Sequence, residues 1–193
     1  MCNLYSLEKG PDALRRIFAE LEFPLEFPEG VPNFQSRNVR ITERAPIVKF
    51  NAARQVAELV ERRWSWPGPT GKPVFNMRSD GREFARDRCL VIADAFFEFT
   101  SPADPKQKRK DCWQFRPAGA FAIAGLVRQT PDVGEAFTLL TVPPGADVAR
   151  YHGRQIALLE PPHWPAWLDG SASSTELLRP SDAGSLSVSA AAA

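Results

Sequence analysis

The chain has 193 residues, 44% of them hydrophobic and 24% charged, which is ordinary for one well-cored globular domain. Its 24 Lys and Arg nearly balance its 23 Asp and Glu, which excludes a protein that coats nucleic acid by bulk charge alone. No apolar run approaches the ~18–20 residues of a membrane span, and Glu8, Lys9, Asp12, Arg15 and Arg16 interrupt any signal-peptide core.

The first stretch with chemistry in it is Met1-Cys2-Asn3. Removal of Met1 would leave Cys2 with an α-amine and a thiol on neighbouring carbons, with ordinary pKa values of roughly 7.7–8 and about 8.5. Such a pair condenses with an aldehyde through nitrogen and closes a five-membered thiazolidine through sulfur. The plain alternative is a small residue tolerated after Met1. The 3 Cys (2, 89 and 112) lack CxxC spacing and predict neither a disulfide framework nor a zinc site. A reduced, cytoplasmic protein is expected.

Pro11 and Asp12 suit a helix start, and Leu14, Ile17, Phe18 and Leu21 recur at helical spacing, so residues 11–21 predict a core-facing helix. Phe23 to Pro32 predicts an irregular connection, and Pro46 to Phe50 a short strand. Residues 51–66 are ambiguous. Val56, Leu59, Val60 and Trp64 fit a helical stripe, although a twisted strand also accommodates them. Pro67 to Gly71 is a break.

Cys89 to Phe99 is an apolar, β-prone run that contains Asp94 and Glu98. Strands are predicted at Trp113–Phe115, Phe121–Val127, Phe137–Val142 and Ile156–Leu159, and a short helix at Trp164–Leu168. The pattern is that of a β-dominated α+β protein. One domain, residues 1–180, would carry a strongly curled or barrel-like antiparallel sheet and a few peripheral helices. Residues 181–193, rich in Ser and Ala, are expected to form a flexible tail.

Four residues stand out as candidates for chemistry. Glu98 sits among Phe96, Phe97 and Phe99, where burial would raise its pKa into the range useful for acid–base work. The alternative is a strand carboxylate facing water. His152, in Tyr151-His152-Gly153-Arg154, follows a Pro-Gly loop, whereas His163 reads as a capping or surface residue. Asn76 can orient a nucleophile or hold a carbonyl oxygen, and Arg78 can hold a phosphate. Trp64 and Trp66 can stack on bases, although their pattern fits the core better. Basic groups recur at Arg37/Arg40/Arg44, Arg62/Arg63, Arg78/Arg82/Arg86/Arg88 and Lys106/Lys108/Arg109/Lys110. If several face one groove, that groove can follow a phosphate backbone.

Met1-Cys2-Asn3, Asn76-Met77-Arg78-Ser79, the run from Arg88 to Phe99, and Tyr151-His152-Gly153-Arg154 together resemble the SOS response-associated peptidase (SRAP) family, from Cys2 to about Leu168. The resemblance implies a β-rich monomer that binds single-stranded DNA and forms a covalent thiazolidine link to abasic sites through Cys2. It also implies a strand, not a helix, leading to Trp64. Cys2 would be the nucleophile, with Asn76, Glu98 and His152 completing the catalytic set. Asn3, Trp64, Trp66, Arg78 and Arg154 would line the DNA path. No metal or organic cofactor and no membrane is implied, and the protein would associate with the nucleoid when engaged on DNA. Two other readings share these residues: an N-terminal-nucleophile Cys peptidase, and a non-covalent single-stranded DNA-binding module. The chain departs from the family pattern at Ser65 (usually Gly), Asp80-Gly81, Gly153, Gln155-Ile156 and Asn38–Thr42.

Overall fold

With 18 Pro and 12 Gly spread along the chain, few segments run far enough to make a long helix, and most apolar stretches pair as strands. The computed structural model describes residues 2–33, 35–102, 104 and 106–191. In chain order these begin with β1 (Leu4–Leu7), α1 (Pro11–Glu20), β2 (Leu25–Glu26), β3 (Arg37–Arg40), β4 (Arg44–Asn51) and β5 (Val56–Trp64). Next come β6 (Trp66–Pro67), β7 (Pro73–Val74), β8 (Asn76–Arg78), β9 (Arg88–Ile92), β10 (Ala95–Thr100) and β11 (Asp111–Pro117). They are followed by β12 (Ala122–Thr130), β13 (Gly134–Val142), α2 (Ala146–Ala149), β14 (Gln155–Ile156) and β15 (Leu158–Leu159). A 3-10 turn at Pro161–His163, α3 (Trp164–Asp169), α4 (Ser174–Leu177) and β16 (Leu186–Ala191) complete the order.

Strands β13, β12, β9, β4 and β5 lie edge to edge, and β13 returns to pair with β5. The result is a closed five-strand barrel, which leaves these strands no free edge. Its closing pair is parallel, with Phe137 opposite Trp64, whereas the other pairs around the ring are antiparallel. The fold is thus the β-dominated, barrel-like one expected, with few helices. Parallel closure departs from a purely antiparallel sheet, as do the short parallel pairings of β8 with β13 and of β2 with β5.

A second sheet runs in the order β16-β11-β10-β1-β3. Tyr5, Val39, Phe96 and Phe115 of this sheet join the barrel side chains in one large core. The Tyr5 ring lies 5.2 Å from Trp64, and Phe96 stacks on Phe115 at 4.9 Å. Each such side chain, fully buried, favours folding by about 1.5–3 kcal/mol over leaving it exposed. The opposite face carries a smaller cluster of Leu4, Phe97 and Cys112, with Phe99 and Ala191 against it. α1 buries Leu14 and Phe18, and Phe18 meets Trp164 of α3 at 5.4 Å.

One ambiguity is resolved and two expectations change. Residues 56–64 form a strand, as the family resemblance implied, against the helical spacing of their apolar residues. A barrel strand with core on both faces buries neighbours such as Val56-Ala57 and Leu59-Val60 together, which imitates a helical stripe. The 89–99 run is two strands, broken at Ala93-Asp94. There the Asp94 carboxylate accepts from the backbone N–H groups of Glu8 and Lys9 and pairs with the Lys9 ammonium. The Ser/Ala-rich end is not a loose tail as far as Ala191: residues 186–191 add an edge strand to β11, with Leu186 buried, so the domain continues past residue 180. Gly145 sits so close to this end of the chain that a β-carbon there would lie 2.3 Å from the Ser181 carbonyl oxygen.

Candidate active site

The site is assembled where β1 enters the second sheet. Cys2 lies two residues before the start of β1 and is 1% exposed. Its thiol donates to the Leu4 carbonyl oxygen at 3.2 Å. Burial, reinforced by the nearby Glu98 charge, pushes the thiol pKa up to about 12. The thiol is therefore protonated at neutral pH in this state.

β10 delivers Glu98. Strand alternation puts Phe96 and Glu98 on the core face, and Phe97 and Phe99 on the other. Glu98 is 2% exposed, so the solvent-facing alternative is excluded. Burial raises its pKa to about 7 against several opposing contributions, the smallest of them from the Cys2 backbone N–H, which donates to the carboxylate.

β8 delivers Asn76, held beside β13 by parallel pairing of Asn76 with Leu139. Its Nδ2 donates to the Cys2 carbonyl oxygen at 2.7 Å. Its Oδ1 is buried and has no hydrogen-bond partner among the described residues. Cys2 is thus gripped at both ends of its main chain, by Glu98 at nitrogen and Asn76 at the carbonyl.

His152 lies on the loop after α2. The preceding Tyr151 packs its ring 4.9 Å from Trp113, which stands opposite Glu98 in the β10–β11 register. The loop is thereby brought to the strand pair that carries Glu98. His152 Nδ1 lies 2.9 Å from the Arg154 backbone nitrogen and 3.0 Å from the Arg154 carbonyl oxygen, so the Arg154 backbone holds the neutral ring in either tautomer. Burial lowers the His152 pKa and favours that neutral form.

The residues expected to line a DNA path divide. Asn3 is exposed and, with Leu4, Arg40, Ile41 and Phe99, lines a cavity of about 350 Å³ beside the Cys2 segment. Arg78 is exposed and makes no ion pair among the described residues. Arg154 is gripped by Asp80 and by the Thr141 carbonyl oxygen. Trp64 and Trp66 do not fit the part given to them. Trp64 is wholly buried, with its indole N–H donating to the Phe75 carbonyl oxygen at 2.9 Å, and Trp66 is 6% exposed. A base cannot stack on either without opening the core. His163 is exposed on the 3-10 turn, as expected of a surface residue.

Sequence reasoning missed Tyr151 and Trp113 as supports of the His152 loop, and Asp80 as the partner of Arg154. Only the distance between their segments in the chain hid them. Met1, whose removal the thiazolidine chemistry needs, lies outside the described residues.

A family model described as SOS response associated peptidase (SRAP) matches residues 1–192. No curated protein matches the chain. Among solved structures, a protein from Bordetella bronchiseptica is similar with a TM-score of 0.75 at 19% identity, covering 100% of both chains. A phage-related protein from the same organism has a TM-score of 0.75 at 18% identity, covering 98% of this chain and 94% of its own. A protein from Bacteroides thetaiotaomicron has a TM-score of 0.73 at 18% identity, covering 98% and 91%. At these identities the likeness is one of fold.

Proposed function

The chain belongs to the SOS response associated peptidase (SRAP) family, and with it to the response to DNA damage; we therefore propose that Cys2, freed by loss of Met1, captures abasic sites in single-stranded DNA as a thiazolidine. The observation that carries this reading is the grip on Cys2. Its main-chain nitrogen already faces the Glu98 carboxylate, and its carbonyl oxygen is held by Asn76. Loss of Met1 turns that nitrogen into an α-amine without requiring it to move.

The steps balance around one proton. The Cys2 amine adds to the ring-opened aldehyde of the abasic sugar and gives a carbinolamine. Glu98, half protonated near pH 7, donates its proton to the departing hydroxyl, so water leaves and an iminium forms. Glu98 is now a carboxylate. The Cys2 sulfur then attacks the iminium carbon, and the thiol proton passes to Glu98, restoring its acid form as the ring closes. A raised thiol pKa suits this order, because the sulfur acts second and loses its proton only when Glu98 can take it. His152, held at Nδ1 by the Arg154 backbone, is assigned to the sugar ring oxygen as the ring opens. Holding amine, thiol and aldehyde together supplies the entropic advantage. Asn3 and Arg78 are the exposed groups assigned to the strand on either side of the lesion.

The test is a denaturing gel of the purified protein incubated with single-stranded DNA carrying one abasic site. A heat-stable shifted band from wild type, absent for Cys2→Ala, is expected, together with an intact mass lacking Met1. Non-covalent, salt-sensitive binding with no such band would leave only a binding module. Cys2-dependent cleavage of a peptide in place of capture would favour the N-terminal-nucleophile peptidase.

A further inference from the structure

We infer that Asp80 is a built-in competitor for the phosphate that Arg154 would hold, and that it sets how tightly this chain grips single-stranded DNA. The inference rests on the reading above that a DNA strand passes Arg78 and Arg154.

The geometry is specific. Arg154 Nη1 donates to Asp80 Oδ1 at 2.9 Å, and Nη2 lies 2.6 Å from Asp80 Oδ2. Both terminal nitrogens thus meet one carboxylate, the same two-pronged approach by which a guanidinium holds a phosphate. Nη2 also donates to the Thr141 carbonyl oxygen at 2.7 Å and to its hydroxyl at 3.2 Å. The remaining nitrogen, Nε, is buried without a hydrogen-bond partner among the described residues. A phosphate that reaches the outer edge of Arg154 must therefore displace Asp80.

Displacement is feasible. The Asp80 side chain is 44% exposed and that of Arg154 13%, so water can take over the carboxylate as it leaves. Asp80 is also two residues beyond Arg78 and close enough for the Arg78 charge to act on it. A DNA phosphate recruited by Arg78 and Arg154 meets this like charge beside both. Thr141 keeps its hold on Nη2 throughout, and the Arg154 backbone keeps its hold on His152 Nδ1. The guanidinium can therefore exchange partners without releasing the His152 loop. Asp80 thus weakens the strand's grip at one arginine and leaves the chemistry in place.

Equilibrium binding of a fluorescent single-stranded oligonucleotide without an abasic site, followed across salt concentrations, tests this. Asp80→Asn keeps the shape and one acceptor for Arg154, and removes the charge together with the second acceptor. It should bind several-fold more tightly, with a log–log salt slope steeper by about 0.7, the increment for one more phosphate neutralised on a single strand. Adding Arg154→Ala to Asp80→Asn should erase the gain, and Asp80→Glu, which keeps the charge, should bind like wild type. Equal or weaker binding by a folded Asp80→Asn protein, with its melting temperature unchanged, overturns the inference. A gain that survives Arg154→Ala overturns it too. If wild type binds no single-stranded DNA at any salt concentration, the functional reading itself fails.

Discussion

Glu98 is the residue on which the electrostatics of the site turn. Its neighbours Phe96, Phe97 and Phe99 make burial conceivable, but alternation alone allows the carboxylate to face water. Core on both faces of β10 removes that option: Phe97 has its own small cluster, and Glu98 shares the main core with Phe96. Raised by burial from its ordinary 4.5 to about 7, Glu98 favours folding in its protonated form. That contribution is fully present below the unfolded pKa near 4.5 and is lost as pH rises through about 7. Glu98→Gln lacks this titration, so its melting temperature relative to wild type should climb between about pH 5 and about pH 8. The same variant should slow abasic-site capture by about 100-fold or more and remove the rate dependence centred near pH 7. Stopped time courses at several pH values check both. A Glu98→Gln rate profile that still turns near neutrality would take the proton transfer away from Glu98.

At the level of elements, the junction between β5 and β6 stores strain. Ser65 has φ 85° and is buried, and its hydroxyl has no hydrogen-bond partner among the described residues. Its backbone N–H donates to the Phe137 carbonyl oxygen at 2.7 Å, so the left-handed conformation is fixed by the barrel's closing strand. Most side chains are strained in this region, and glycine is not. The family pattern usually has Gly where this chain has Ser65, and the backbone angle supplies the reason for that Gly. Ser65→Gly should stabilise the protein by about 1 kcal/mol, seen as a melting temperature higher by roughly 2–4 °C. No rise would mean that the serine hydroxyl finds a compensating partner. The neighbouring ambiguity over residues 51–66 has the same origin. The closing strand of a small barrel buries residues on both sides, so its pattern does not alternate cleanly.

Over the whole molecule, a near-neutral net charge conceals local concentration. Antiparallel pairing in the second sheet brings the start of β1, the end of β3, the end of β10 and the start of β11 to one edge of the molecule. Cys2-Asn3, Arg40 and the β10–β11 connection therefore share that edge. In that connection Lys106, Lys108, Arg109 and Lys110 are exposed and make no ion pair among the described residues. The loop is organised by neutral donors: the Lys106 N–H donates to Asp104 Oδ1 at 2.9 Å, and Gln107 Nε2 to Asp111 Oδ1 at 2.9 Å. Replacing the four cations with Ser should flatten the salt dependence of single-stranded DNA binding by about 0.7 for each phosphate no longer neutralised. It should leave the pH dependence of capture unchanged, because the four cations are exposed whereas Glu98 is buried. An unaltered slope in binding titrations would assign these cations to solvated surface.

The order of amino acids was enough to specify the fold class, the first helix, most of the barrel strands, and the set Cys2, Asn76, Glu98 and His152 as the residues to watch. These are local properties: apolar alternation, turn residues, and motifs within a few positions of one another. Folding in three dimensions settled which tryptophans are core, which face Glu98 takes, that the Ser/Ala-rich end pairs as a strand, and that Arg154 is already occupied by Asp80. Each of those depends on a partner distant in the chain, 74 positions away for Asp80 and Arg154. Cys2 shows the division most plainly. Its amine-and-thiol chemistry is legible in one residue, but the burial that keeps its thiol protonated and aims its nitrogen at Glu98 comes from the sheets that fold around it.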